Sequence, residues 1–135
     1  MSGREHVEAI MDAVNRRDFG ELERLGYRDD TEFHSIVART EGSHYTGLDG
    51  ARDWAAMADD TWAGFHCEVL EVVEAAEARA VVILRLSGTA RASGVPLDVK
   101  VAQVWEWRED GSLLRNTAYG DRDEAMRAAG PGGAG

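Results

Sequence analysis

The sequence predicts an α+β domain in which N-terminal helices pack on a strongly curved antiparallel β-sheet, mixed at its edge, and enclose a pocket. Three observations carry that prediction. Apolar residues at helical spacing are confined to the chain before Gly64 and to a short stretch after Asp121. Between them, Phe65 to Tyr119 reads as long strands joined by tight turns. Helices and strands segregated in this way argue against a βαβ parallel sheet. Strands this long must also twist and bend, and Gly88 and Gly94 offer places to do so.

The elements follow in order. Val7, Ile10, Met11 and Val14 recur at i, i+3, i+4 and i+7, one apolar stripe of a first helix. Asp18 and Glu21 have capping-box spacing and open a second helix carrying Phe19, Leu22 and Leu25, which Gly26 ends. Asp29-Asp30 turns the chain into a first strand, Thr31 to Val37, and Glu41 to Gly47 reads as a loop. Asp49 caps a third helix, on which Trp54, Met57, Ala58, Thr61 and Trp62 share a face. Strands follow over Phe65–Glu74, Ala78–Arg91, Leu97–Arg108 and Ser112–Tyr119, with Glu109-Asp110-Gly111 as a hairpin signal. A terminal helix over Asp121–Ala129 closes a single domain, residues 1–129, and 130–135 form a Gly-rich disordered tail.

Composition narrows the function. The 135 residues carry a formal net charge of −10, which disfavours nucleic acid and anionic membrane surfaces as partners. A lone cysteine, Cys67, excludes an intrachain disulfide. Met1 to His6 shows no apolar leader, so a cytoplasmic location is expected. The four histidines form no His-x-x-x-His or Cys-His cluster, and the sequence shows no Gly-rich phosphate loop, so neither a metal nor an organic cofactor is expected.

Three stretches resemble the SnoaL-like proteins of the nuclear transport factor 2-like superfamily. They are Ala13 to Asp18 with Leu22 and Leu25, Tyr45 to Ala51, and Val104 to Trp107 with Asp110 to Leu113, continued by Tyr119 to Ala125. The resemblance implies a cone-shaped fold, a homodimer, and a pocket for a hydrophobic polyketide- or steroid-like metabolite. It also implies cofactor-free isomerase, cyclase, dehydratase or hydrolase chemistry, or a non-catalytic binding or association role on the same fold.

The groups that such chemistry would need are mostly replaced. The steroid isomerases' base, tyrosine and aspartic acid match Ser35, Ile10 and Gln103. The cyclases' aspartate matches Ala118. The epoxide hydrolases' arginine matches Arg85, but their carboxylates match Ser87 and Ala118.

His34, Arg85 and Gln103 are therefore the catalytic candidates. His34 would carry a proton near neutral pH, although alternation sends His34 and Ser35 to opposite faces and only one can point inward. Arg85 would stabilise developing negative charge, or pair structurally with Asp98 or Glu106. Gln103 shares a strand face with Val101, Trp105 and Trp107, and Asn116 falls in the row Leu114, Asn116, Ala118. Either amide could polarise a carbonyl. Ser35, Tyr45, Trp54, Trp62, Trp105 and Asn116 are the expected ligand contacts, the indoles suiting a flat aromatic molecule. Lys100, Ala102, Val104, Glu106, Thr117 and Tyr119 would form the outer sheet face of the homodimer.

Overall fold

The computed structural model describes residues 3–76 and 78–130. The expected Gly-rich tail lies, apart from Gly130, outside the described residues. In chain order the elements are α1 (Gly3–Asn15), α2 (Phe19–Arg24), β1 (Tyr27–His34), α3 (Ile36–Thr40), β2 (Tyr45–Thr46) and α4 (Gly47–Thr61). They continue with β3 (Trp62–Ala76), β4 (Arg79–Ala90), β5 (Pro96–Trp107), β6 (Leu113–Tyr119) and α5 (Arg122–Ala128).

The strands form one sheet in the order β2-β1-β6-β5-β4-β3. Every neighbouring pair is antiparallel except β1 and β6, so the expected mixed edge is present. Irregular register in β3, between Ala63 and His66 and between Val69 and Glu71, marks where the longest strand departs from a flat ladder.

Helices α1, α2 and α4 cover the concave face. Val7, Ile10 and Met11 of α1 and Leu22 of α2 join Val82, Leu84, Trp105 and Leu113 of the sheet in one buried cluster. Asp18 caps α2 as expected, its Oδ1 accepting from the Glu21 amide at 3.1 Å. Asn15 closes α1 in an unanticipated way. Its side chain donates to the Cys67 carbonyl at 2.8 Å and accepts from the Cys67 amide at 2.9 Å. A side-chain amide thereby takes the place of a neighbouring strand at the open edge of β3.

The convex face holds a second cluster, in which Val81, Ile83, Ala102 and Val104 pack beneath Ala125 and Ala129. This corrects the expected dimer face. Ala102 and Val104 are sealed by the chain's own terminal helix, which Asp121 starts by accepting from the Glu124 amide at 2.8 Å. Strand β4 is consequently apolar on both sides, as its run Val81-Val82-Ile83-Leu84 suggested.

Several boundaries differ from expectation, among them the start of β3, where Trp62, expected on the face of the third helix, has extended backbone and opens the strand instead. The first strand begins at Tyr27 and stops at His34, and the β-branched pair Ile36-Val37 enters α3 instead of extending it. Local preference is overridden there by a tertiary clamp: the Arg39 guanidinium donates to the Ala118 carbonyl and lies 4.7 Å from the centre of the Tyr119 ring. Helix α4 starts at Gly47, two residues before Asp49, with Thr46 at the cap position making no side-chain cap bond. Gly47 has φ +68°, and a Cβ there would lie 2.6 Å from the Asp29 carbonyl oxygen, so only glycine lets α4 begin so close to β1.

Candidate active site

The concave sheet and the helices over it enclose a cavity of about 530 Å³, the size of a site for a small organic molecule. Its floor is a square patch of β5 and β6. Gln103 faces Ala118 across the ladder, and Trp105 faces Asn116. Trp105 is only 1% exposed, and its indole N–H donates to Gln103 Oε1 at 2.8 Å. That bond uses the amide oxygen and leaves the amide NH2 of Gln103, which makes no other hydrogen bond among the described residues, as the end offered to a ligand. Asn116 Oδ1 is buried without a hydrogen-bond partner. An orphaned acceptor in a cavity wall is what a ligand hydroxyl or N–H would satisfy.

Aromatic rings form the side wall. Tyr45 stacks with Phe33, Phe33 meets the edge of Trp54 at 5.7 Å, and Trp54 meets Phe65 at 5.5 Å. Phe65 in turn stacks with Trp62 at 5.5 Å. All five line the cavity. Tyr27 adds a buried phenol to the same lining, and desolvation pushes its pKa up to about 12. It stays a neutral hydrogen-bond donor throughout the physiological range. Glu41 is the sole carboxylate of the lining among the described residues, and it is exposed.

Seven expected residues meet in this cavity: Ser35, Tyr45, Trp54, Trp62, Gln103, Trp105 and Asn116. Their roles belong to the proposal below. Two expected residues do not reach it. The lining takes Phe33 and Ser35 from around His34, so strand alternation turns His34 outward. There its Nε2 lies 2.7 Å from Glu32 Oε1, and its ring stacks on His44 at 4.5 Å. The hydrogen bond to His34 holds the Glu32 carboxyl below its usual range, with lesser help from His44 and Arg115.

Arg85 likewise lies between the inward-facing Leu84 and Leu86 and points to the convex side. Its guanidinium sits 3.4 Å from Asp98 and 3.8 Å from Glu68, so the structural pairing with Asp98 is the one that forms. The Gln103 row is placed as expected, but Leu113 lines the cavity where Leu114 was expected. A register shift opposite Glu106 and Trp107 inserts one residue and reverses the alternation.

Tyr27, Phe33, Phe65 and Glu41 were missed. Starting the first strand at Thr31 hid Tyr27 in a turn. Phe33 was legible, because the alternation that turns His34 outward turns Phe33 inward.

The comparisons with known proteins agree with this architecture. The model of the SnoaL-like domain matches residues 7–116, most of the chain. The chain belongs to the SnoaL-like family. Similar solved structures include a ketosteroid isomerase-like fold protein from Catenulispora acidiphila DSM 44928 in complex with trimethylamine. It has a TM-score of 0.72 and 17% identity over 97% of each chain. A nuclear transport factor 2-like protein from Burkholderia pseudomallei K96243 has a TM-score of 0.72 and 20% identity over 97% of this chain and 100% of its own. TerC, co-crystallised with polyporic acid, has a TM-score of 0.71 and 20% identity over 93% of this chain and 95% of its own. At such identities the likeness establishes the fold. No protein of curated function matches the chain. Among the described residues no helix is long and apolar enough to cross a membrane.

Proposed function

We propose that this SnoaL-like domain binds a flat, largely apolar metabolite bearing hydroxyl or carbonyl oxygens, of the polyketide or phenolic kind, in the cytoplasm. The observation that carries the reading is the orphaned Asn116 Oδ1 beside Trp105 and Gln103 on an otherwise apolar floor. The aromatic wall from Tyr45 to Trp62 would hold the ring system by stacking. The Gln103 NH2 and the Tyr27 hydroxyl would donate to ligand oxygens, and Asn116 would accept from a ligand hydroxyl. Binding by neutral groups suits this site better than acid–base chemistry, because His34 and Arg85 face away from it.

One observation favours a second reading, a cofactor-free isomerase or cyclase. Glu41 lines the same cavity as the protonated Tyr27 and could take a proton while Tyr27 and Gln103 stabilise the resulting enolate. A homodimer through the outer sheet face would use the polar strip of Glu68, Arg85, Asp98 and Lys100, since Ala102 and Val104 are covered.

Polyporic acid, the compound in the TerC crystal, is a suitable first probe. Titrated into the protein, it should quench tryptophan emission with saturation. Replacing Asn116 by Leu should weaken that binding about 5- to 150-fold, the equivalent of 1–3 kcal/mol for a buried hydrogen bond. Equal affinity for the wild type and Asn116→Leu would remove Asn116 from the site. For the second reading, Glu41→Gln should abolish turnover of an enolisable substrate without altering its binding.

A further inference from the structure

Sequence spacing gave no sign of a metal site, yet folding gathers one candidate set of ligands on the back of the cavity wall. The short ladder between β1 and β2 pairs Phe33 with Tyr45 and Glu32 with Thr46. The same register sets His34 opposite His44. Phe33 and Tyr45 point into the cavity, and Glu32, His34 and His44 share the other face. One ligating atom from each of these three lies within 4.8 Å of the others.

We propose that Glu32, His34 and His44 form a binding site for a divalent transition-metal ion of the zinc class. Two imidazoles and one carboxylate are the donor set that suits such ions, with a fourth position left for water. Around a tetrahedral zinc ion, ligand atoms stand about 3.3 Å apart, given metal–ligand bonds of about 2.0–2.2 Å. The widest gap, at most 4.8 Å, closes by up to about 1.5 Å through a side-chain rotation, while Glu32 Oε1 and His34 Nε2, now 2.7 Å apart, part slightly and exchange their hydrogen bond for the ion. His44 is exposed and free to make that rotation, while the half-buried His34 and Glu32 are held on the sheet.

The electrostatics are compatible. Arg115 opposes a cation, its Nε lying 3.6 Å from Glu32 Oε1, but it also reaches Glu106 Oε2 at 3.4 Å. Glu106 can keep the guanidinium when the metal takes Glu32. The overall charge of −10 adds a favourable field for any cation.

A bound ion would fasten β2 to β1 and so fix Tyr45, whose ring forms part of the aromatic wall. The proposal does not depend on what the cavity binds. It is tested by titrating zinc chloride into the purified protein calorimetrically, and cobalt chloride with visible absorption as the readout. The expected result is one ion per chain with micromolar affinity, and cobalt d–d bands characteristic of nitrogen and oxygen ligation. His44→Ala and Glu32→Gln, both at positions with solvent contact, should each weaken zinc binding at least about tenfold. His66→Ala, an exposed histidine outside the cluster, should leave it unchanged. Absence of saturable binding in the wild type would overturn the site. So would titrations of folded His44→Ala and Glu32→Gln that match the wild type.

Discussion

At the scale of single residues, the balance of burial and hydrogen bonding decides what each polar group can do. Tyr27 and Cys67 are both buried, and desolvation pushes each pKa up to about 12. Cys67 is therefore a packing residue and a poor nucleophile at neutral pH. For Tyr27 the linkage has a definite sign. The unfolded phenol releases its proton near pH 10, whereas the folded one holds it to about 12. Its contribution is intact below pH 10 and is lost as the pH rises to 12, because there the unfolded chain binds fewer protons. Comparing urea unfolding of the wild type and Tyr27→Phe across this window isolates the effect from that of Cys67. The wild type should lose about 2–3 kcal/mol more than the variant. Parallel pH profiles would show that Tyr27 is solvated. His34 and Arg85 teach the complementary lesson. Both have chemistry suited to catalysis, but strand alternation and partners on the convex side assign them elsewhere.

At the scale of elements, one side chain adds a polar fastening to the apolar stripe that docks α1 on the sheet. Asn15 satisfies both the amide and the carbonyl of Cys67 on β3. Asn15→Ala leaves both groups without that partner and should cost about 1–3 kcal/mol in denaturant unfolding. Asn15→Asp keeps the acceptor but sets a carboxylate oxygen against the Cys67 carbonyl, so it should cost at least as much as Asn15→Ala. An Asn15→Ala midpoint equal to that of the wild type would mean that water replaces the amide without loss. Long elements with strong periodicity, such as α1 and β4, were legible in the sequence because their apolar pattern repeats over several turns or pleats. Short ones were not. Helix α3 is set by the Arg39 clamp on Ala118 and Tyr119, contacts to a strand far away in the chain. The β-bulge that brings Leu113 into the cavity in place of Leu114 has no local signature either.

At the scale of the whole molecule, two layers of helix on opposite faces of one sheet divide the work. The convex layer under α5 is closed and apolar, and the concave layer keeps its apolar walls apart around an open volume. The pattern of the chain announced that cavity and most of its aromatic and amide lining. It could not announce the cluster of Glu32, His34 and His44, because His44 enters through the β1–β2 ladder and not through a spaced motif.

The central claim is that the concave cavity is a binding site. Native mass spectrometry of the protein incubated with a metabolite extract, beside Ala118→Trp, tests it most directly. Ala118 is 4% exposed and faces Gln103 across the cavity floor, so an indole there would fill the space a ligand needs. The wild type should carry a small-molecule mass adduct that is lost from a folded Ala118→Trp variant. No adduct on the wild type, or the same adduct on the filled variant, would contradict the account.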